Sequence, residues 1–299
     1  MTYLEKINNY YYLTKNIRID NKWKKVRIYI GKNKPTKEQI QKLTKEIEKK
    51  QISSKYTYLS NKEAEFLEDV KQSFKQWLIK TPKIVKEKYD EDFLIRFTYN
   101  TNSIEGNKLT LRETSLILKD KVLPTGVSAI DYNEAINGKE CLEYIKQYKG
   151  DLNKEFLEKV NEFLVKNTNV IYKGKVRQFN VKIVGSNYIP PDYKELKSLL
   201  NNMFKWYKSN EKKLHPFELA TMIHGKIAGI HPFEDGNGRT ARAIMNWILI
   251  KEEYPMFFIP YEKRKEYYEA NDFYDNKKYK QYVSKMLSLI KEQVKDFKN

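Results

Sequence analysis

The sequence predicts a mainly α-helical protein with a small basic β-hairpin and helix module at its N-terminus. Two observations carry that expectation. From Ser60 onward apolar residues recur at helical spacing behind successive capping boxes. Only two short stretches, near 17–31 and 176–190, alternate apolar and polar residues with the two-residue period of a strand. The 299 residues are 32% charged, yet 40% are apolar and 14% aromatic, which is bulk enough for a sizeable core.

The first module reads as a hairpin. Ile17 and Ile19 alternate with polar neighbours, Asp20, Asn21 and Lys22 supply turn chemistry, and Val26, Ile28 and Ile30 alternate on the return before Gly31. Arg18, Lys25 and Arg27 then share the other face. Thr36 with Gln39 caps a helix carrying Ile40, Leu43 and Ile47. These elements define a module over residues 1–55.

Residues 56–299 read as one helical domain. Ser60 with Glu63 opens a helix bearing Phe66, Leu67, Val70, Phe74, Trp77 and Leu78. Thr110 with Glu113 repeats the device before Leu116 and Ile117, and Leu152, Phe156, Leu157, Val160 and Leu164 make a further apolar stripe. Between Val176 and Pro190 the pattern changes: Val181 and Ile183 alternate with polar residues, Gly185 and Ser186 offer a turn, and Pro190-Pro191 bars a helix. Helical spacing returns over Tyr193–Tyr207 and from Pro216 to about Gly229.

Net charge is 57 − 39 = +18, and residues 1–55 hold 15 basic against 5 acidic side chains, or +10. Such a module attracts nucleic acid or an acidic partner, although a lysine-rich composition that merely aids solubility gives the same excess. A single cysteine, Cys141, excludes a disulfide within the chain and fits a reducing compartment. No apolar run approaches the roughly 18 residues of a membrane helix, and Met1–Leu13 has no signal-peptide core. The expectation is a cytoplasmic protein that does not engage membranes.

Chemistry concentrates in His231-Pro-Phe-Glu-Asp-Gly-Asn-Gly-Arg-Thr-Ala-Arg242, between two helical patterns. Gly236, Asn237 and Gly238 open the second helix, where free N–H groups and the dipole favour an anion and glycines admit a phosphate closely. Arg239 and Arg242, three apart, add two guanidinium forks suited to a polyphosphate. Asp235 offers a hard oxygen ligand for Mg2+, and His231 a group able to take a proton near neutral pH. Walker-type and Gly-x-Gly-x-x-Gly patterns do not occur. The three histidines, His215, His224 and His231, lack zinc-site spacing and a cysteine partner.

This segment resembles the signature of Fic-domain proteins, His-Pro-Phe-x-Asp/Glu-Gly-Asn-Gly-Arg-x-x-Arg, at every fixed position, and the resemblance runs from about Phe97 to Val283. It implies a helical Fic-type bundle with a short β-hairpin flap. It also implies transfer of AMP from ATP to a Ser, Thr or Tyr hydroxyl of a target protein. Some relatives use another nucleotide donor. On that likeness His231 is the general base and Asp235 holds Mg2+. Gly236, Asn237 and Gly238 stabilise phosphate charge, Arg239 and Arg242 bind the β- and γ-phosphates, and Phe233 packs the loop.

The likeness assigns further residues. Residues of about 176–190 resemble the family's flap, with Val181, Lys182 and Ile183 expected to pair with the target backbone. Thr101-Asn-Ser-Ile-Glu105-Gly106-Asn107, at the end of a helix over about 91–106, resembles the family's inhibitory motif. Its glutamate, Glu105, is expected to pair with Arg242 in the place of the γ-phosphate. In some relatives the same glutamate helps to remove AMP again. Tyr268 and Asp275 fall where relatives place adenine-pocket residues, and relatives often carry Asn where Asp275 stands. Family members often form homodimers. The rival reading is a nucleic-acid-binding regulator whose Fic core senses nucleotide.

Overall fold

The structure, a computed structural model, describes residues 2–19, 22–52, 56–183 and 188–297. The chain divides into two compact units, Met1–Glu65 and Phe66–Asn299, against an expected break after residue 55.

The first unit is a three-stranded antiparallel sheet, β1 (Thr2–Ile7), β2 (Tyr10–Ile19) and β3 (Lys22–Gly31), in the order β1-β2-β3, followed by α1 (Lys37–Ile52). The sequence reading has the second and third strands but not the first. Its cause is visible at Asn8 and Asn9, both at positive φ, 46° and 64°. Two successive left-handed residues make the tight turn whose twist suits a hairpin, and Asn tolerates that conformation better than most residues. The expected Asp20–Asn21 turn, and the side chains of Ile17, Arg18, Ile19 and Ile47, lie outside the described residues. Across the ladder Leu4, Leu13 and Ile28 stand side by side on one face, and Glu5, Tyr12 and Tyr29 on the other. Thr36 and Gln39 exchange both bonds of the capping box ahead of α1.

The second unit is helical. It comprises α2 (Asn61–Lys80, begun in the first unit), α3 (Lys83–Ile104), α4 (Leu111–Ser115), α5 (Ala129–Gln147), α6 (Lys154–Val165), α7 (Leu196–Asn210), α8 (Pro216–Ile230), α9 (Asn237–Lys251), α10 (Arg264–Asp275) and α11 (Tyr279–Ile290). The expected boxes at Ser60–Glu63 and Thr110–Glu113 both form. A capping box satisfies two of the N–H groups that a helix start leaves unpaired.

At the centre α8 packs on α9; α6, α5 and α3 pack against α9, and α7, α11 and α10 against α8. Most of both helices is buried, so their faces show no polar side to solvent. Asn246, buried on α9, takes the main chain of Phe257 with both ends of its amide, which ties α9 to the 255–259 segment. His215 begins α8 as a cap, its Nδ1 accepting from the Phe217 N–H. No helix among the described residues is long and apolar enough to cross a membrane.

One expected element takes a different form. Residues 176–183 and 188–190 carry no strand, and the expected Gly185–Ser186 turn lies outside the described residues. The reason is local. Arg177 is buried, and its guanidinium donates to the carbonyls of Phe179, at 2.7 Å, and Pro191, at 2.8 Å. The two arms are clasped at their base by a side chain rather than laced by a ladder.

Candidate functional site

The site is built where α8 ends and α9 begins. His231 closes α8 in the left-handed conformation, φ 50° and ψ 58°. This is a costly geometry for a non-glycine residue, of the kind that concentrates at functional positions. It turns the chain out of the helix and into the loop. Phe233, wholly buried, anchors that loop; burial of such a side chain contributes about 1.5–3 kcal/mol. The Asn237 amide donates to the Phe233 carbonyl and accepts from its N–H, both at 2.9 Å. Its side chain therefore shapes the loop, and what Asn237 can offer a phosphate is its main-chain N–H. Glu234 accepts from the N–H groups of Ile171 and Tyr172, and Arg177 donates from Nε to the His231 carbonyl.

Gly236 begins α9 at φ 75°, where a Cβ would come within 2.8 Å of Val165. Asn161, buried on α6, holds this turn from behind. Its Nδ2 donates to the Asp235 carbonyl at 2.9 Å, and its Oδ1 accepts from the Gly174 N–H at 3.2 Å. At Gly238 a Cβ would overlap the Glu105 carboxylate. The glycine leaves room for an anionic group on the first turn of α9.

That carboxylate is the meeting point expected from the sequence. α3 ends with Glu105 as its C-cap and Gly106 at φ 99°. Glu105 Oε1 then lies 2.7 Å from Arg242 Nη2. Arg242 is buried and donates also to the Thr101 hydroxyl, the Thr101 carbonyl and the Tyr267 hydroxyl. Behind Tyr267 stands His224, whose ring nitrogens meet the hydroxyls of Tyr282 and Tyr267 at 2.7 and 2.8 Å. Complete burial, helped by the Arg242 charge, lowers the His224 pKa to about 3, so this ring is neutral. Burial opposes the charge of Arg242, but Tyr267 and Glu105 outweigh it and its pKa is raised.

Arg239 is also buried, with Nη1 2.6 Å from Glu134 and Nη2 2.9 Å from Asp235. Asp235 is half exposed at the mouth of the site. The described residues hold no group of three His, Cys, Asp or Glu side chains able to bind a metal alone. One exposed carboxylate beside an anion nest nevertheless fits Mg2+, which is commonly held by one or two carboxylates with phosphates and water. His231 is partly buried, and burial lowers its pKa although the Ala228 main chain acts the other way. A ring with its pKa lowered in this way is neutral near neutral pH and can accept a proton.

Two sequence-expected groups sit farther out. Tyr268 donates to the Ile104 carbonyl at 3.1 Å, and its ring is about half exposed against the end of α3. Asp275 closes α10, its carboxyl pushed up to about 6 by burial and by Asp272. Val181, Lys182 and Ile183 lie on the open segment clasped by Arg177, none of them buried. Sequence reasoning passes over Glu134, Asn161, Arg177 and Glu234. Of these only Glu234 lies within the signature, at one of its three open positions.

The family model described as "Fic/DOC family" matches residues 151–249. The chain is 32% identical over 190 residues to a protein adenylyltransferase Fic of Nematostella vectensis, covering 62% of this chain and 43% of that protein. It is 33% identical over 174 residues to the protein of the same name from Drosophila melanogaster, covering 57% and 35%. The chain thus spans less than half the length of either relative. Among solved structures, a Fic domain containing signaling protein from Bacteroides thetaiotaomicron has a TM-score of 0.70 at 24% identity, covering 77% of this chain and 94% of that one. A fragment of Fic-1 from C. elegans gives the same TM-score at 20% identity, covering 87% and 74%. These two likenesses concern the fold.

Proposed function

We propose that the chain, whose residues 151–249 match the Fic/DOC family model, is a protein adenylyltransferase held off by its own Glu105. One observation carries this: a carboxylate lies on the N-terminal turn of α9 and on Arg242, in reach of the loop that bears a neutral His231. A helix start flanked by a buried guanidinium is a seat for an anion. Here the protein fills it with its own anion, and ATP must displace that group.

In the open state His231 accepts the proton of a target Ser, Thr or Tyr hydroxyl. The hydroxyl oxygen bonds to the α-phosphorus, the bond from that phosphorus to the bridging oxygen breaks, and pyrophosphate leaves. The N–H groups of Gly236, Asn237 and Gly238 face the charge that develops, and Arg239 and Arg242 take the outer phosphates. Asp235 would hold Mg2+, which when bound neutralises phosphate charge. Tyr268 would flank the base, with Asp275 bearing on its choice. Val181, Lys182 and Ile183 would meet the target's main chain on the segment that Arg177 steadies.

Incubation of wild type and Glu105→Gly with Mg2+ and α-labelled ATP tests the reading. Label on the variant protein, and little on wild type, is expected. Equal label on both removes Glu105 from its role, and no label on either removes ATP as donor and leaves another nucleotide to be tried.

A second reading concerns the first unit, where the solvent face of the sheet carries tyrosines among cations. Tyr3 and Tyr29 are 40% and 57% exposed, Lys25 lies 5.7 Å from the Tyr3 ring, and Lys32 lies 5.6 Å from that of Tyr10. Aromatic faces with neighbouring cations suit unpaired bases. Binding of a labelled single-stranded oligonucleotide that weakens steeply with salt supports a nucleic-acid partner. Absence of binding at low salt rules it out.

A further inference from the structure

We propose that Glu134 is the positioning residue of Arg239. The segment that blocks the nucleotide site then also builds it. This rests on the nucleotide-transfer reading above.

Arg239 is buried, its Nε has no partner, and each terminal nitrogen meets one carboxylate. Those carboxylates are not alike. Asp235 stands on the loop with its side chain 54% exposed, whereas Glu134 stands on α5 at 13%. Both oxygens of Glu134 are engaged: Oε1 by Arg239 at 2.6 Å and Oε2 by the Asn107 amide at 2.8 Å. A buried carboxylate with both oxygens occupied cannot turn away without stranding two donors. Asp235 can turn to solvent or to a cation. When it does, Glu134 is the carboxylate that still compensates the buried guanidinium and fixes one edge of its fork. The other edge is then free to face phosphate.

Glu134 is in turn held by the segment that carries Glu105. Asn102 donates to the Glu134 carbonyl at 3.0 Å, and Asn107 donates to its side chain. The Leu109 N–H and Asn107 Oδ1, at 3.0 Å, fix the amide of Asn107. The Lys108 N–H donates to Asp131, one turn before Glu134 on α5. Residues 102–108 are therefore stapled to the start of α5. The segment sends Glu105 to Arg242 as a block and supports Arg239 through Asn107 and Glu134.

The test is equilibrium binding of a methylanthraniloyl-ATP probe to the Glu105→Gly variant, alone and combined with Glu134→Gln or Asn107→Ala. The probe is measured with Mg2+ and in EDTA, and thermal midpoints are recorded alongside. With Mg2+, Glu134→Gln should weaken binding on the order of tenfold, the size expected for a charge-assisted bond. Asn107→Ala should weaken it by less. In EDTA the loss should shrink, because Asp235 then keeps its hold on Arg239. A purely structural role would give the same loss in both conditions and so overturns the proposal. Unchanged or tighter binding overturns it as well, tighter binding marking Glu134 as a competitor of phosphate. If Glu134→Gln does not fold, Asn107→Ala decides by the same Mg2+ comparison. Failure of Glu105→Gly itself to bind the probe refutes the nucleotide reading instead.

Discussion

Two regions of this molecule use glutamate to answer cations, and they do so in opposite media. On the sheet, Glu5 accepts from Lys25 at 2.7 Å, from Arg27 at 2.9 Å and from Thr14 at 3.0 Å. These bonds hold its pKa down to about 2, yet the partner side chains are 38% and 46% exposed. In the helical unit Glu105 and Glu134 meet Arg242 and Arg239, whose side chains are each 2% exposed. Distances are alike in the two places. What differs is the alternative open to each cation. Water and salt can replace Glu5, so that cluster adds little. Glu105 is itself 32% exposed, no less than Glu5 at 25%, but the guanidinium it leaves behind is buried, and a buried cation without its partner is costly. The surface cluster is therefore arrangement, whereas a pair with one buried cation is sensitive to which anion answers it.

The comparison can be broken or sharpened in order of expected effect. Glu105→Gly should raise AMP transfer on the order of tenfold or more, read from labelled protein on a gel. Adding His231→Ala should abolish it, and persisting label would take His231 out of the chemistry. Arg177→Ala should come next, because three carbonyls lose one donor. A loss of about 2–4 kcal/mol in urea unfolding is expected, together with weaker transfer to any target, and an unchanged midpoint would refute the clasp.

The pH dependence follows with smaller effects. Burial depresses the folded pKa of His231, so the acid limb of kcat/KM should lie below about 6.5, the ordinary imidazole value. A limb above that value would mean that His231 is charged at rest. For His224 the same sign governs stability. The neutral ring is favoured in the fold, so its contribution is complete above the unfolded pKa near 6.5 and is lost as pH falls toward about 3. The smallest effect belongs to Glu5→Gln, which should move the thermal midpoint least and only at low salt. A shift as large as that of Arg177→Ala would break the comparison between the two regions.

Much of the helical unit could be read from sequence, because capping boxes and apolar stripes are local. The Fic-type signature was legible for the same reason: loop, glycines and arginines are contiguous. Glu105 and its pairing with Arg242 were legible only through the likeness of residues 101–107 to a known motif. Glu134 was not. It lies 105 residues from Arg239, amid an ordinary helical pattern, and a lone glutamate on a helix gives no sign of facing inward. Arg177 looked like part of a strand because the alternation around it is real, whereas its own side chain takes the bonds that a ladder would have made. The first strand was missed for want of a glycine, since the turn at Asn8 and Asn9 reaches positive φ without one.

Gly238 has a consequence for how such a protein can drift under mutation. The space over it holds the Glu105 carboxylate, and on the function proposed above a phosphate would take the same place. A side chain introduced at 238 presses on the Glu105 carboxylate and, on that reading, on the phosphate as well, so a change there is expected to unlock the site only by damaging it. Loss-of-control alleles should accordingly map to residues 101–107, while changes within 236–239 should yield only inactive ones. Escape from regulation is thus a one-sided path, open through the regulator and closed through the machinery it regulates.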